Sequence, residues 1–185
     1  MISSNVQNIC VFCGSRAGTN PFYEAAAIKL GQFMAQNHIR LIYGGGSTGL
    51  MGIIARAVLS HGGQVTGIIP QFLVNKEVML KEADEIIITQ DMHERKMAMF
   101  DRSDAFIALP GGIGTLEEVV EQITWVQLGQ HNKPIIFANI DNFWTGFFDL
   151  INHMGKEAFI EPDFKKNYHM AKDIDAIAHI LSEAL

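Results

Sequence analysis

Short runs of Ile, Val, Phe and Ala recur along the chain, separated by longer stretches in which apolar residues return every three or four positions. Six of the runs read as strands: "ICVFCGS", "IRLIYGGG", "QVTGIIP", "EIIITQ", "DAFIALPGG" and "KPIIFANI". Their near-continuous hydrophobicity suits strands covered on both faces, and their alternation with helices calls for parallel pairing through right-handed crossovers. The fold class that follows is α/β, a three-layer, doubly wound Rossmann-like arrangement with a mostly parallel sheet. Helices are predicted over residues 21 to 37, 49 to 61, 91 to 103, 115 to 130, 143 to 156 and 173 to 184, the first opened by Asn20 as cap and Pro21 as first residue. The segment "QFLVNKEVMLKEAD", residues 71 to 84, follows a strand ending at Pro70 and reads as a loop with a short helix that could cover a site.

Length and composition narrow this picture. With 185 residues, 48% of them hydrophobic and 18% charged, the expectation is one domain, residues 1 to 185, that is neither disordered nor membrane-spanning. A formal net charge of -6 argues against a general nucleic-acid binder, because such binding rests on clustered Lys and Arg. The start "MISSNVQNIC" shows neither a secretory signal nor a membrane anchor, so a cytoplasmic location is expected. Cys10 and Cys13 have CxxC spacing, but on a strand residues three apart point to opposite faces, which disfavours a redox or metal pair. The seven histidines form no HxH or HExxH pair, and no metal site is expected.

Candidate chemistry gathers where strands end in small residues: "CGSRAGT", "YGGGSTGLMG" and "LPGGIGT". In an open parallel sheet these carboxyl ends share one edge, beside the topological switch point where ligands bind. Gly44, Gly46 and Gly49 satisfy GxGxxG between a strand and a helix, with Gly45 inside the turn. A nicotinamide site would want a carboxylate at the end of the next strand, and "GIIPQF" has none; the GK[ST] ending of a triphosphate loop is also missing. The turn either approaches a smaller ligand or lets strand and helix pack closely. In the later turn, Gly111, Gly112 and Gly114 allow close backbone approach, Thr115 offers a hydroxyl, and the helix start offers unpaired N–H groups, which together suit a phosphate. Glu117, Glu118 and Glu121 follow; acidic residues there can simply complement the helix dipole. Adjacent helical residues lie roughly 100° apart, so Glu117 and Glu118 cannot both aim at one point. A carboxylate beside an anion site must address another part of the same molecule, one that gains positive charge. The oxocarbenium ion formed when a glycosidic bond breaks has that character, and a 5′-phosphorylated nucleoside supplies both ends.

"DMHERKMAMF", with Arg95 and Lys96 together, followed in order by "PGGIGTLEE" and accompanied by "YGGGSTGLMG", closely resembles the LOG family, the cytokinin riboside 5′-monophosphate phosphoribohydrolases long mislabelled as lysine decarboxylases. The resemblance runs from "VFCGS" through "NKPIIFAN". It implies hydrolysis of the N-glycosidic bond of adenosine-type 5′-monophosphates to free base and ribose 5-phosphate, by a homodimer with sites near the subunit boundary and no cofactor or metal. The family's catalytic arginine and glutamate fall on Arg95 and Glu118. Implied substrate contacts are Lys96, the turn Gly112, Ile113, Gly114, Thr115 and Leu116, Glu117, Thr124, the glycines Gly44, Gly45 and Gly46, and a glutamate in the variable loop at Glu77, where Lys76 replaces the usual Gly. Met92, Met97 and Met99 spread over more than one face and read as packing residues. On the following helix Val119, Ile123 and Val126 form one apolar row and Leu116, Val120 and Leu128 another, so a second covering partner is expected. Two other functions compete. A non-catalytic nucleotide or phosphate-cofactor carrier on the same fold would not need Arg95 and Glu118. Lysine decarboxylation through pyridoxal phosphate would need a Schiff-base lysine, and no lysine here stands in such a context.

Overall fold

Alternate residues of the central strands face opposite helical layers. In β1 (Asn8–Phe12), Ile9 and Val11 belong to one core and Cys10 and Phe12 to the other, all buried. The chain, described by a computed structural model over residues 6–74, 79–161, 164 and 168–183, continues as α1 (Pro21–Gln36), β2 (Arg40–Tyr43), α2 (Gly49–Ser60), β3 (Val65–Pro70), α3 (Gln71–Val74), β4 (Glu85–Thr89), α4 (Met92–Asp101), β5 (Ala105–Ala108), α5 (Ile113–Gln127), β6 (Ile135–Ala138), α6 (Thr145–Lys156), β7 (His169–Ala171) and α7 (Ile174–Glu183). The strands form one sheet in the order β4-β3-β2-β1-β5-β6-β7. Every pair in it is parallel. Leu30 and Met34 of α1, Ile54 and Val58 of α2 and Ile177 and Leu181 of α7 fill one face. Met99 of α4, Val119 and Ile123 of α5 and Trp144 and Phe148 of α6 fill the other. This is the doubly wound α/β arrangement expected from the strand runs.

The strand order reverses between β1 and β5, whose carboxyl ends therefore open a crevice. The loops there are tied together: Gly14 N–H donates to Pro110 O at 3.1 Å and Met51 N–H to Gly14 O at 3.3 Å. Gly49, at φ +58°, lies so close to the Ser15–Arg16 peptide that a Cβ would overlap it, which fixes the start of α2 against the β1 loop.

Two features differ from the sequence reading. A seventh strand, β7, joins the edge of the sheet; of its three residues only Ala171 is buried, so it carries no apolar run. Helix α5 begins at Ile113, not Thr115, with Gly112 as a cap that supplies no side-chain hydrogen bond. As a result Glu117 and Glu118 lie beyond the first turn, and no acidic residue complements the dipole at its start. At α1, Asn20 caps as expected, its side chain accepting from Phe22 N–H at 3.0 Å. Cys10 and Cys13 are free thiols in opposite cores, and burial pushes both well above the ordinary thiol range. No helix among the described residues is long and apolar enough to cross a membrane.

Candidate active site

Helix α4 opens with a reciprocal cap. Asp91 Oδ1 accepts from Glu94 N–H at 2.9 Å, and Glu94 Oε2 accepts from Gln90 N–H at 2.8 Å. Both acids that could have paired with Arg95 on the surface are thereby engaged. Arg95 turns inward instead, retaining 7% of its exposure. Its Nε donates to Ile68 O on β3 at 3.1 Å, Nη1 lies 3.7 Å from Met92 Sδ, and Nη2 lies 3.5 Å from Glu118 Oε1. The Glu118 side chain is also largely buried, at 12% exposure. A buried cation and anion facing each other avoid the penalty either would incur alone.

The glycine turn after β2 makes room for this pair. A Cβ on Gly44 would overlap Arg95 Nη2, so only glycine lets the guanidinium lie against the backbone there. Gly45 O accepts from Leu80 N–H at 3.1 Å, and Gly46 pairs with Met79 in an isolated antiparallel bridge. The turn thus seats Arg95 and holds Met79 and Leu80; it is not on the wall of the cleft.

That cleft, of about 350 Å³, is lined by Cys13, Gly14, Ser15, Met51, Leu73, Met92, Arg95, Gly112, Ile113, Gly114, Thr115, Glu117 and Glu118. The structure therefore brings together Arg95, Glu118, Glu117 and the turn from Gly112 through Thr115. Thr115 is buried, and its hydroxyl has no hydrogen-bond partner among the described residues. A Cβ on Gly111 would collide with the Thr115 side chain, so that glycine lets the turn close over the helix start. Gly112, Ile113, Gly114 and Thr115, at the helix start where backbone N–H groups lack intrahelical partners, line the same opening. The α3 segment expected to cover a site does contribute, through Leu73.

Other expected contacts stand elsewhere. Lys96 does not line the cleft; its ammonium donates to Glu117 Oε1 and Glu121 Oε1, each at 2.8 Å. Burial alone would lower the Lys96 pKa, but the hydrogen bonds Lys96 donates to Glu117 and Glu121 outweigh it and raise the pKa. Leu116 packs against the core beneath α5, and the exposed Thr124 donates its hydroxyl to Val120 O at 2.8 Å. Glu77 lies outside the described residues. Conversely, Cys13, Gly14, Ser15, Met51 and Met92 line the cleft although the sequence reading singled none of them out as contacts. The small-residue ending "CGSRAGT" was the available signal for Gly14 and Ser15; for Met92, read as packing, there was none.

Fold and site together define a class, a Rossmann-like α/β protein with its cleft at the topological switch point and a buried Arg–Glu pair in the cleft wall. A family model described as "Possible lysine decarboxylase" matches residues 51–181. The cytokinin riboside 5′-monophosphate phosphoribohydrolase LOG1 of Arabidopsis thaliana is 47% identical over 161 residues, covering 87% of this chain and 76% of that protein. A probable enzyme of the same name, LOGL9 of Oryza sativa subsp. japonica, is 44% identical over 180 residues, covering 97% of this chain and 79% of its own. The chain belongs to the LOG family. Among solved structures, the molybdenum cofactor binding protein from Rippkaea orientalis superposes with a TM-score of 0.70 at 22% identity over 97% of each chain, a likeness of fold alone.

Proposed function

We propose that this protein hydrolyses the N-glycosidic bond of adenosine 5′-monophosphates, including N6-modified ones, giving the free base and ribose 5-phosphate. The observation that carries the reading is the placement of the buried Arg95–Glu118 pair and the amide-lined start of α5 on one cleft wall. The 5′-phosphate docks on the N–H groups from Gly112 through Thr115 and on the Thr115 hydroxyl, where the helix start favours an anion. This leaves Glu118, one and a half turns along α5, to face the sugar. As the bond between C1′ and the base nitrogen lengthens, positive charge grows on the ribose, and the Glu118 carboxylate stabilises it or orients the attacking water. Water adds its oxygen to C1′ and its proton leaves with the base. Arg95, fixed by Ile68 O, holds the Glu118 carboxylate in place and offsets its charge in the resting site. Preorganised groups of this kind are commonly worth about 3 to 4 kcal/mol each in the transition state.

Glu117, on the same wall, reaches the ligand directly, while Lys96 acts through it. Val120 on α5 and Leu128 just past it, both exposed while Leu116 of the same row packs inward, seat a second copy of this single-domain chain in a cytoplasmic homodimer. Thr124 and Glu77 then contribute near the subunit boundary. The test is a panel of nucleoside 5′-monophosphates and their unphosphorylated nucleosides, with chromatographic detection of free base. Release from the phosphorylated set with little from the nucleosides supports the reading; equal release from both, or none from either, contradicts it.

A further inference from the structure

The contacts of the Arg95 guanidinium are unequal. Its Nε donates to Ile68 O at 3.1 Å and Nη2 faces Glu118 Oε1 at 3.5 Å, both oxygens. Nη1 meets Met92 Sδ at 3.7 Å, and a thioether sulfur is a weak acceptor. The two residues stand three apart on α4 and so share a face, and the Asp91 cap fixes the backbone where Met92 begins the helix. Met92 is half-buried and lines the cleft, so a small solute in the cleft meets its side chain. Met51 and Cys13, the other sulfur-bearing residues of that wall, are buried, and burial keeps Cys13 a thiol instead of the reactive thiolate.

Oxidation changes what the Met92 sulfur offers. With hydrogen peroxide, the sulfur lone pair attacks one peroxide oxygen and an S–O bond forms as the O–O bond breaks. The proton of the transferred oxygen passes to the departing hydroxide, which leaves as water; sulfur is oxidised to the sulfoxide and the peroxide is reduced. The sulfoxide oxygen is a strong acceptor on a side chain that already touches the guanidinium. A charge-assisted N–H···O contact is about 2.8 Å long, so an oxygen bonded to a sulfur 3.7 Å from Nη1 bridges the gap with little movement. Such a bond is roughly twice as strong as a neutral one. It competes with Glu118 for the guanidinium, whose Nη2 contact at 3.5 Å is a long one.

We propose that Met92 is a modification site: as a thioether it leaves Arg95 to hold Glu118, and as the sulfoxide it draws the guanidinium away and slows the enzyme until a methionine sulfoxide reductase removes the oxygen. The effect on rate rests on the proposed roles of Arg95 and Glu118 in hydrolysis; the contact between the added oxygen and Arg95 does not.

The experiment treats the wild-type protein, Met92→Leu and Met92→Gln with hydrogen peroxide, then with a thiol reductant, which reverses cysteine sulfenic acid but not methionine sulfoxide. Each protein's kcat for adenine release from AMP is compared with its own untreated value, peptide mass spectrometry locates the added oxygen, and a crystal structure of the treated wild type shows the oxygen's partner. Wild type is expected to lose about tenfold in kcat, with KM changed less than about twofold, in step with oxygen uptake at Met92, and to recover with methionine sulfoxide reductase. Met92→Leu is expected to lose less than about twofold on the same treatment. Met92→Gln, which carries an amide oxygen at a similar reach, should start about tenfold below Met92→Leu in kcat. Unchanged kcat at full oxidation of Met92, equal losses in wild type and Met92→Leu, or no oxygen uptake at Met92 under conditions that oxidise the exposed Met170 would overturn the proposal. Absence of base release from the untreated protein would instead overturn the hydrolase reading, and the proposal would then stand or fall on whether the sulfoxide oxygen lies within hydrogen-bond distance of Arg95 Nη1.

Discussion

At the scale of single residues, everything turns on how a charged pair comes to be buried. Arg95 is available because Asp91 and Glu94 are used in the cap of α4, and it fits because residue 44 has no side chain. Under the proposed mechanism, Glu118→Gln removes the charge directed at the sugar, and Arg95→Ala removes its support. Each is expected to lower the rate of adenine release from AMP at least a hundredfold, by about 3 kcal/mol or more. Gly44→Ala tests the same pair from the backbone side. Its methyl group displaces the Arg95 guanidinium, so kcat should fall at least about tenfold, a loss of roughly 1.4 kcal/mol, with KM changed far less. A Gly44→Ala enzyme with normal kcat would show that Arg95 need not sit where the structure puts it. Little of this was legible beforehand. The sequence offered Gly44 as part of a glycine turn and Arg95 as a catalytic group through the resemblance, and the close approach of the two is a tertiary feature that neither motif carries.

At the scale of elements, α4 and α5 are joined by a polar strut. Lys96 bridges Glu117 and Glu121, while Glu121 Oε2 is buried and has no hydrogen-bond partner among the described residues. Lys96→Met leaves two carboxylates facing each other without compensation. The expected cost is about 1 to 2 kcal/mol, between the values for exposed and buried pairs, read as a lower urea midpoint at unchanged m-value. Lys96→Arg should retain most of the stability. An unaltered midpoint in Lys96→Met would mean that the two helices are positioned by apolar packing alone. The elements themselves were largely readable, because six strands carry apolar runs and most helices carry caps or a 3.6-residue period. What escaped had weak local signals: β7 buries a single side chain, and α5 starts two residues early at a glycine cap without a side-chain bond. That shift places Glu117 beyond the first turn, where its carboxylate accepts from Lys96 rather than complementing the dipole.

At the scale of the whole molecule, a doubly wound sheet places the β1, β2, β3 and β5 loops on one edge, so residues from Cys13 to Glu118 meet in one cleft. The same architecture leaves Ile113 and Val120 on α5 and Leu128 just past it exposed, at 82%, 38% and 67%, among the exposed Glu117, Thr124 and Gln127. A homodimer burying these apolar residues is expected, with a light-scattering mass near twice that of one 20.5 kDa chain. Leu128→Glu should shift that mass toward one chain, and a wild-type mass of a single chain would remove the partner from the account.

The central claim is spatial: the phosphate is gripped by the start of α5 while Glu118 faces C1′ of the same molecule. A crystal structure of the Glu118→Gln protein with AMP tests it most directly. The account predicts phosphate oxygens within hydrogen-bond distance of the N–H groups from Gly112 through Thr115, and the ribose C1′ next to the residue 118 side chain. A phosphate bound anywhere else, or a C1′ turned away from residue 118, would contradict it.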